Sequence, residues 1–266
     1  MNKYTLITGA CGGLGRALVS ECAKNKENLV LVGTSQKKLD NLLKDFESQF
    51  EGLEIKTFVC NLGDEKNRAE LVTFLKENKI SVAKLINNAG VIIEGDLLRF
   101  SDAEIVNAVE VNCIGTLDLT KKLIEARDKN EKFEVLTIAS QAAFQPIPHM
   151  GVYAATKSFL LSIMTALSEE LKNENVVITT SCPSGMATTE AMKESIKSMG
   201  INGKLTTLSV EKVAKISLRA LKRKKKIVVP GKFNKFVEVI SRPLSQSFLA
   251  KTTGKMWRKS QAKRNF

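Results

Sequence analysis

Residues 4–25, YTLITGACGGLGRALVSECAKN, read as a short apolar strand, a glycine-rich turn and a helix with apolar periodicity. The turn has the spacing Thr-Gly-x-x-x-Gly-x-Gly, with its glycines at Gly9, Gly13 and Gly15. Glycine tolerates positive φ and close approach of the backbone, so a pyrophosphate can lie against the N-terminus of the helix. Because the turn follows a strand and opens a helix, the stretch predicts a nucleotide-binding unit at the start of the chain.

Apolar, β-branched runs recur along the rest of the chain, with amphipathic stretches between them. The predicted strands lie at 4–8, 28–33, 55–60, 82–86, 134–139, 176–182 and 226–229. Strands that alternate with helices imply right-handed crossovers and a parallel sheet covered on both faces. We therefore expect one Rossmann-like α/β domain over residues 1–230, with a doubly wound sheet of about seven strands. Ligands of such sheets bind at the carboxyl ends of the strands, where the strand order reverses.

A second pattern lies in VYAATKSFLLSIMTALSEEL, residues 152–171, where Tyr153 and Lys157 share one face of a predicted helix. A free phenol has a pKa near 10 and is a poor acid–base catalyst at neutral pH. A fixed ammonium beside it favours the phenolate and moves the pKa toward the working range. Alone, such a pair is usually surface decoration, but together with the glycine turn it becomes a candidate catalytic pair.

The motifs of the chain, taken in order, resemble those of the classical short-chain dehydrogenase/reductase family, and the resemblance covers nearly the whole chain. The matching segments are TGACGGLG at 8–15, NNAG at 87–90 and PSG at 183–185. The residues that match the family's catalytic tetrad in type, order and spacing are Asn112, Ser140, Tyr153 and Lys157. The resemblance implies a nicotinamide-dependent oxidoreductase.

The resemblance also implies a role for each residue of the tetrad. Tyr153 donates the proton in ketone reduction and, as phenolate, accepts it in alcohol oxidation. Lys157 lowers the Tyr153 pKa and holds the nicotinamide ribose, while Ser140 donates a hydrogen bond to the carbonyl oxygen. Asn112 helps to hold a water that connects Lys157 to solvent. The residues alone also allow Asn112 to be a helix-kink asparagine that bonds the backbone, and both roles can coexist.

The cofactor contacts that the resemblance implies fall mostly just after predicted strands. They are Gly9, Cys11, Gly13, Leu14, Gly15, Thr34, Ser35, Asn61, Leu62, Asn88, Ala89, Gly90, Tyr153, Lys157, Pro183, Gly185 and Thr188. The family usually has aspartate where this chain has Asn61, bonding the adenine amino group. The side-chain oxygen of asparagine can still accept that hydrogen bond.

The end of the second predicted strand, LVLVGTS at residues 29–35, bears on the choice of nicotinamide cofactor. An acidic side chain there would bind the adenosine ribose hydroxyls and select NAD(H). This stretch has no carboxylate; Thr34 and Ser35 could hydrogen-bond a 2′-phosphate, and Lys37 or Lys38 could approach it. The arginines that NADP-preferring relatives often carry nearby are missing, and the two lysines could equally be solvated charges. We expect NADP(H), with NAD(H) left open.

Composition narrows the class of protein and its compartment. The chain has 266 residues, of which 43% are hydrophobic and 26% charged, as is typical of a soluble globular protein. No apolar run is long enough to span a bilayer, and the first strand begins too early for a signal peptide. The five cysteines are scattered and His149 is the single histidine, so we predict a cytoplasmic protein without a metal site. His149 either borders the substrate pocket or lies in a surface loop.

Positive charge is concentrated at the C-terminal end of the chain. Residues 219–266 hold 15 lysines and arginines against Glu238 alone, a balance of +14, whereas the whole chain carries +13. Residues 231–266 predict a basic, amphipathic helical extension. Three interpretations stay open: helices packed beside the substrate cleft, peripheral attachment to an anionic membrane, and nucleic-acid binding. Nucleic acid is disfavoured because no recognised nucleic-acid module is present.

The family resemblance implies an oxidoreductase that reduces a ketone or aldehyde, or oxidises a secondary alcohol. The extended basic C-terminus resembles that of family members acting on apolar carbonyl compounds, which implies an apolar substrate. The segment 184–208, rich in Ser, Thr, Met and Gly, is expected to flank the substrate pocket. By resemblance the protein forms a homodimer or homotetramer through the helices that carry Asn112 and Tyr153. The alternative is a non-catalytic cofactor-binding regulator or scaffold that interacts through the basic tail. Such a protein would be free to lose Tyr153 or Lys157, and this chain has both.

Overall fold

A computed structural model describes residues 2–47, 49–186 and 206–262 of the chain. Most of the predicted pocket segment 184–208, with the predicted cofactor contact Thr188, therefore lies outside the described residues.

Seven strands form one sheet in the order β3-β2-β1-β4-β5-β6-β7, and every neighbouring pair is parallel. They are β1 (Lys3–Thr8), β2 (Asn28–Gly33), β3 (Ile55–Val59), β4 (Ser81–Asn87), β5 (Phe133–Ile138), β6 (Val176–Ser181) and β7 (Ile227–Val228). The doubly wound parallel sheet is thus confirmed. The last strand is shorter than predicted, because only Ile227 and Val228 pair with β6.

Nine α-helices are described. They are α1 (Gly13–Lys24), α2 (Gln36–Glu47), α3 (Glu65–Glu77), α4 (Asp102–Val109), α5 (Thr116–Ala126), α6 (Gly151–Glu170), α7 (Val210–Lys222), α8 (Lys232–Ser241) and α9 (Gln246–Ala262). A π-helical turn at Glu110–Gly115 joins α4 to α5, and single 3₁₀ turns lie at Leu97–Arg99 and Gln141–Phe144. Side chains cap several helices: the Asp64 carboxylate accepts from two backbone N–H groups of α3, and Ser101 forms a capping box with Glu104 in α4.

The core consists mainly of two apolar layers, one on each face of the sheet. Successive strand residues point to opposite faces, so Leu6 and Leu85 enter one layer while Ile7 and Ile86 enter the other. The first layer is completed by residues of α3, α5 and α6, and the second by residues of α1, α2 and α7. Burial on both faces explains why the strands are apolar almost throughout instead of alternating with polar residues.

The topology brings the predicted site to one edge of the sheet. Strand β1 pairs with β2 on one side and with β4 on the other, so the strand order reverses between β1 and β4. All seven strands run in one direction, and their carboxyl ends meet at one edge. The loops that leave β1, β4, β5 and β6 begin at Gly9, Asn88, Ala139 and Cys182, which places four of the predicted motifs together.

Candidate active site

The turn after β1 is held tightly enough that two of its glycines admit no side chain. Gly9 has φ +62°, and a Cβ there would lie 2.8 Å from the Cα of Ala89. A Cβ at Gly15 would overlap the carbonyl oxygen of Gly9. The first turn of α1 is therefore pressed against the end of β1, which is the close approach that the glycine spacing predicts.

Asn88 and Thr8 fix this turn to the end of β4. The Asn88 side-chain amide donates to the carbonyl oxygens of Thr8 and Gly9, at 3.1 and 3.0 Å. The Thr8 hydroxyl accepts from the backbone N–H groups of Asn88 and Ala89, at 3.0 and 3.1 Å. The side chain of Asn88 thus holds the turn in place. The sequence did not single out Thr8, although its position at the last residue of β1 is the signal that could have done so.

The N-terminus of α1 has the features of an anion-binding site. Its N-cap is Gly12, and no side chain in the described ranges caps it. The first backbone N–H groups of a helix have no partner within the helix and carry partial positive charge, so they favour a phosphate. Gly13 is exposed at this point, whereas the side chain of Leu14 is buried in the core and only its backbone can face a ligand.

Helix α6 and the end of β5 bring Ser140, Tyr153 and Lys157 together, as predicted. The Lys157 ammonium lies 5.7 Å from the centre of the Tyr153 ring. It is only 4% exposed and donates to the carbonyl oxygen of Ile138 at 3.0 Å. The Ser140 hydroxyl hydrogen-bonds the Tyr153 side chain and also accepts from the N–H of Ala142 at 3.1 Å. Three groups from two elements therefore share one small volume.

Burial governs the ionisation of Tyr153 and Lys157. It raises the pKa of the Tyr153 phenol, and the hydrogen bond with Ser140 opposes that rise in part. Burial also lowers the pKa of Lys157 to about 8, against a smaller effect of the opposite sign from the thiols of Cys182 and Cys113. Desolvation of the phenol therefore sets the net direction of its pKa, and the lowering of the Tyr153 pKa by Lys157 stays a prediction.

Asn112 lies in the π-helical turn and is fully buried. Its side-chain oxygen accepts from the N–H of Val91 at 2.8 Å, and its amide donates to the Val91 carbonyl oxygen at 2.9 Å. The amide also donates to the Thr156 hydroxyl at 3.0 Å, and that hydroxyl donates to the Tyr153 carbonyl oxygen at 2.8 Å. The backbone-bonding interpretation of Asn112 is confirmed. Thr156, which the sequence did not single out, links it to α6.

Gly90 marks the place where Asn112 and Lys157 meet. A Cβ built on Gly90 would lie 3.3 Å from the Asn112 side-chain oxygen and 3.3 Å from the Lys157 nitrogen. The two atoms therefore flank one position beside the loop that leaves β4. A side chain at residue 90 would press on both of them, so this glycine keeps the lysine accessible from the loop side.

The predicted adenosine contacts surround the ends of β2 and β3. Thr34 is exposed, while the Ser35 hydroxyl accepts weakly from the N–H of Lys38, at 3.4 Å, within the first turn of α2. The side-chain oxygen of Asn61 accepts from the N–H of Gly63 at 3.0 Å, so one of its two acceptor positions is used within the turn. Leu62 is buried, so its side chain belongs to the core.

Two charges approach the glycine turn near the end of β2. The pKa of the Cys11 thiol is raised by burial and lowered by the charges of Arg16 and Lys38. The Cys11 sulfur would lie 3.5 Å from a Cβ on Gly33, so Cys11 marks the point where the first turn meets the end of β2. Both cations act on Cys11 and therefore lie near that point. Arg16 also pairs with Asp45 on α2. Arg16 was not singled out in the sequence, although its place directly after Gly15 was visible there.

The loop after β6 joins the same edge of the sheet. Pro183 is buried, and its carbonyl oxygen accepts from the N–H of Gln141 at 2.8 Å, next to Ser140. Gly185 is exposed. In the described part of the chain, no heavy atom lies within 4 Å of the position that a Cβ on Gly185 would take. The residues just after Ser140 and the Pro-Gly turn are thus held together, whereas Thr188 lies outside the described residues.

His149 connects the loop before α6 to the C-terminal helix. It has φ +66°, and its Nδ1 lies 2.8 Å from an Asp96 carboxylate oxygen. Its ring stacks on Trp257 of α9 with 3.8 Å between centroids, and the Trp257 indole N–H donates to Glu94 at 2.8 Å. The side chain of His149 is 22% exposed, so it is a contact between elements and not a loose surface group.

A cavity of about 520 Å³ opens beside α6, with His149 in its wall. Gly151, Val152 and Ala155 line it from α6. At about 100° per residue, these positions lie on the side of the helix opposite Tyr153 and Lys157. The cavity is therefore separated from the catalytic groups by the body of α6.

The part of the chain that the structure describes contains no cluster of three or more metal-ligating side chains. Within the same ranges, none of the helices combines the length and the apolar character needed to cross a bilayer.

Residues 3–199 match the sequence model of the family described as short chain dehydrogenase. The chain is 35% identical over 177 residues to the very-long-chain 3-oxoacyl-CoA reductase of Neurospora crassa, covering 65% of this chain and 53% of the relative. It is 30% identical over 254 residues to estradiol 17-beta-dehydrogenase 11 of Macaca fascicularis, covering 93% and 81%. The chain thus spans about half the length of the Neurospora crassa relative.

Solved structures share the fold at low sequence identity. A 7beta-hydroxysteroid dehydrogenase superposes with a TM-score of 0.85 at 18% identity, over 94% of this chain and 96% of its own. A Sphingobium yanoikuyae short-chain dehydrogenase in complex with NADPH gives 0.74 at 21% identity, over 90% and 93%. A 4-hydroxyisoleucine dehydrogenase complexed with NADH gives 0.73 at 19%, over 86% and 98%. These likenesses concern the fold.

Proposed function

The chain belongs to the short-chain dehydrogenase family, and we propose that it is a nicotinamide-dependent oxidoreductase that interconverts a carbonyl compound and the corresponding alcohol. The observation that carries the proposal is the grouping of Ser140, Tyr153 and Lys157 beside the carboxyl end of β5. A phenol, a hydroxyl and an ammonium in one partly buried volume can supply a proton and stabilise negative charge on an oxygen.

In this proposal the nicotinamide supplies the hydride when bound, and the chain supplies the proton and the orientation. Burial raises the pKa of Tyr153, so its phenol stays protonated at neutral pH and can donate to the developing alkoxide during reduction. The single O–H of Ser140 can turn from Tyr153 to the substrate oxygen, where its hydrogen bond adds to the one from Tyr153. For alcohol oxidation the phenolate is needed, which this environment disfavours.

Lys157 would act through its charge and its three donors. One donor is already given to the Ile138 carbonyl oxygen, and the others remain for a ribose hydroxyl and for a water beside Asn112. Asn112 would act as a positioning residue, because its amide and oxygen hold the loop after β4 through Val91. This arrangement keeps Gly90 next to both groups.

The residues at the end of β1 fit a dinucleotide. Gly9 and Gly15 leave room for the backbone to approach a pyrophosphate, and the uncapped N-terminus of α1 offers N–H donors to it. We favour NADP(H) because the end of β2 has no carboxylate and because Arg16 and Lys38 place positive charge near Cys11. Arg16 is engaged with Asp45, so Lys38 is the better partner for a 2′-phosphate. NAD(H) remains the alternative.

An apolar substrate is supported by the relatives. The names of two of them specify a very-long-chain 3-oxoacyl-CoA, whose acyl chain is apolar, and estradiol, whose ring system is apolar. Three of the four residues after Ser140 are apolar, since the 3₁₀ turn reads Gln-Ala-Ala-Phe. Phe144 packs against a small buried cluster that includes Leu160 and Val229, so this wall of the site is continuous with buried apolar residues.

Assembly and location are also proposals. Exposed apolar side chains lie on α4, the π-helical turn and α6: Val106, Val109, Ile114 and Phe159. They support a homodimer or homotetramer formed through these helices, as the sequence predicts. A cytoplasmic location and contact of the basic tail with an anionic membrane remain predictions.

The test is a spectrophotometric assay of NADPH and NADH oxidation with 3-oxoacyl-CoA esters of increasing chain length, steroid ketones and small aldehydes. We expect turnover with long-chain or steroid ketones and a higher kcat/KM with NADPH. Tyr153→Phe should lower kcat by about 10²–10⁴-fold, because it removes only the proton donor. Full activity of Tyr153→Phe would overturn the mechanism. Cofactor binding without turnover of any carbonyl compound would favour the regulator or scaffold.

A further inference from the structure

Helix α8 is oriented with its polar side inward. Its two buried side chains are Asn234 and Glu238, which are only 1% and 3% exposed. The apolar side chains on the other side of the helix are exposed: Phe233 39%, Phe236 60%, Val239 46% and Ile240 49%. A helix on the surface of a globular protein normally buries its apolar stripe and exposes its charges. Core packing therefore does not explain the sequence of α8.

Specific hydrogen bonds hold α8 in this orientation. The Asn234 amide donates to the carbonyl oxygens of Pro230 and Thr206, at 3.0 and 2.9 Å. The backbone carbonyl oxygen of Asn234 accepts from the Gln141 side-chain amide at 3.2 Å. The buried Glu238 carboxylate accepts from Arg242 at 2.6 Å. Rotating the helix to bury its aromatic residues would break the contacts with Thr206 and Gln141, which lie outside the helix. The outward position of the apolar side is thus built into the fold.

The exposed apolar side chains continue into the next helix. Leu244 in the connection is 41% exposed, and Phe248 in the first turn of α9 is 51% exposed. We call the set of Phe233, Phe236, Val239, Ile240, Leu244 and Phe248 the C-terminal apolar face. Exposed basic residues are interspersed with it along the chain: Lys232, Lys235, Arg242 and Lys251.

The charge around this face indicates what covers it. The only acidic residue between 219 and 266 is Glu238, which is buried against Arg242. Pairing the face with a second copy of itself would bring lysines and arginines together with no exposed carboxylate from this segment to neutralise them. An anionic lipid surface offers negative headgroups for these cations and an apolar layer for the phenylalanines.

We infer that α8 and the start of α9 lie in the interface of an anionic bilayer, with the C-terminal apolar face inserted among the acyl chains. A basic helix with an aromatic and aliphatic face, too short to span, has the composition of an interfacial helix. This inference does not depend on the proposed reaction, because it concerns a surface that none of the catalytic groups forms.

The membrane-facing segment is joined to the loop between Ser140 and Tyr153. Gln141 bonds the α8 backbone, and Thr253 of α9 donates to the Pro146 carbonyl oxygen at 2.9 Å. The stacking of His149 on Trp257 is a third contact. If the two helices bind a bilayer, the loop between Ser140 and Tyr153 is therefore placed near the lipid surface.

The inference can be tested by co-sedimentation of the full chain with vesicles of phosphatidylcholine, with or without about 30% phosphatidylserine. We expect binding to the anionic vesicles that weakens as salt is raised. Phe236→Gln combined with Ile240→Gln should reduce that binding at least tenfold. The matched control is Ile92→Gln with Leu98→Gln, which alters two other exposed apolar residues, 54% and 98% exposed, and should leave binding unchanged.

A second pair of variants tests the charge. Lys232→Gln with Lys235→Gln should weaken binding to anionic vesicles, whereas Lys66→Gln with Lys76→Gln, an equal loss of charge on α3, should not. Circular dichroism checks that each variant is folded.

Absence of binding to anionic vesicles, or binding that the Phe236 and Ile240 variant retains, would overturn the inference. A variant that instead lowers the mass in sedimentation velocity would assign the face to a second copy of the chain. Binding of duplex DNA or RNA that is stronger than vesicle binding and insensitive to this variant would assign the charges to nucleic acid.

Discussion

Helices α6 and α8 each turn a pair of polar side chains, spaced four residues apart, toward the interior, and comparing the pairs shows how strongly the surroundings of a polar group determine its role. In α6 the pair is Tyr153 and Lys157, and burial shifts the pKa of both groups. In α8 the pair is Asn234 and Glu238, whose partners are backbone carbonyl groups and Arg242 on the same helix. A buried ammonium without a carboxylate partner is costly and suits chemistry. The amide N–H groups of Asn234 and the carboxylate of Glu238 have partners, whereas the buried side-chain oxygen of Asn234 has none in the described part of the chain.

The comparison is tested most strongly at Lys157. Lys157→Met should lower kcat at least about 100-fold, because the site loses its charge and its donors. The same change should stabilise the fold at pH 7 by about 3 kcal/mol, because wild-type folding lowers the Lys157 pKa from 10.5 to about 8. That cost is fully present below pH 8 and disappears as the pH rises through 10.5, where the unfolded lysine also loses its proton. Urea denaturation at pH 7 and at pH 10.5 measures the difference.

If Lys157→Met is less stable than wild type at pH 7, the lysine is a structural group like those of α8. The comparison would then fail. Leu160→Ala, a truncation of a buried side chain on the same helix, calibrates the assay, since it should cost about 2–5 kcal/mol at both pH values.

The corresponding change in α8 is Glu238→Ala. It should lower the free energy of unfolding by about 2 kcal/mol, because Arg242 loses a short charge-assisted hydrogen bond to a carboxylate that is only 3% exposed. We expect kcat to stay within about twofold, since Glu238 touches no catalytic group. The matched control is Glu125→Ala, which removes an exposed pair with Lys121 at the same spacing and should cost less than about 0.5 kcal/mol. Equal costs for the two variants would show that the burial of Glu238 adds nothing to the strength of its ion pair.

A smaller effect is expected from pH. Because the pKa of Lys157 is about 8, its charged form is lost as the pH rises through that value. The kcat/KM for carbonyl reduction should therefore decline above pH 8, by about tenfold at pH 9 if only the charged form is active. Tyr153 does not explain such a decline, since burial raises the pKa of its phenol. A profile that stays flat to pH 10 would show that the ammonium is not required.

The sequence predicted the sheet well because each strand is marked by a short apolar run within the strand itself. Apolar runs and glycine spacing placed the strands within a few residues, and the grouping of Ser140 with Tyr153 and Lys157 followed from the fold. The direction of the Tyr153 pKa did not follow, because it depends on desolvation by distant residues. Periodicity predicted that α8 has an apolar side but could not show whether that side is buried. That was decided by Asn234, through contacts with Thr206 and Gln141 far away in the chain.

The π-helical turn at Glu110–Gly115 also limits which changes in chain length the protein can accept. A π turn contains one residue more than an α-helical turn over the same rise, so everything after it is rotated by about 100°. Deleting one residue would restore a regular helix and turn Asn112 away from Val91 or α5 away from the sheet. Gly115, whose added Cβ would overlap the Leu62 carbonyl oxygen, fixes the same register from the other side. Homologous chains that keep this site should therefore align here without gaps, even where the surrounding helix surfaces have diverged.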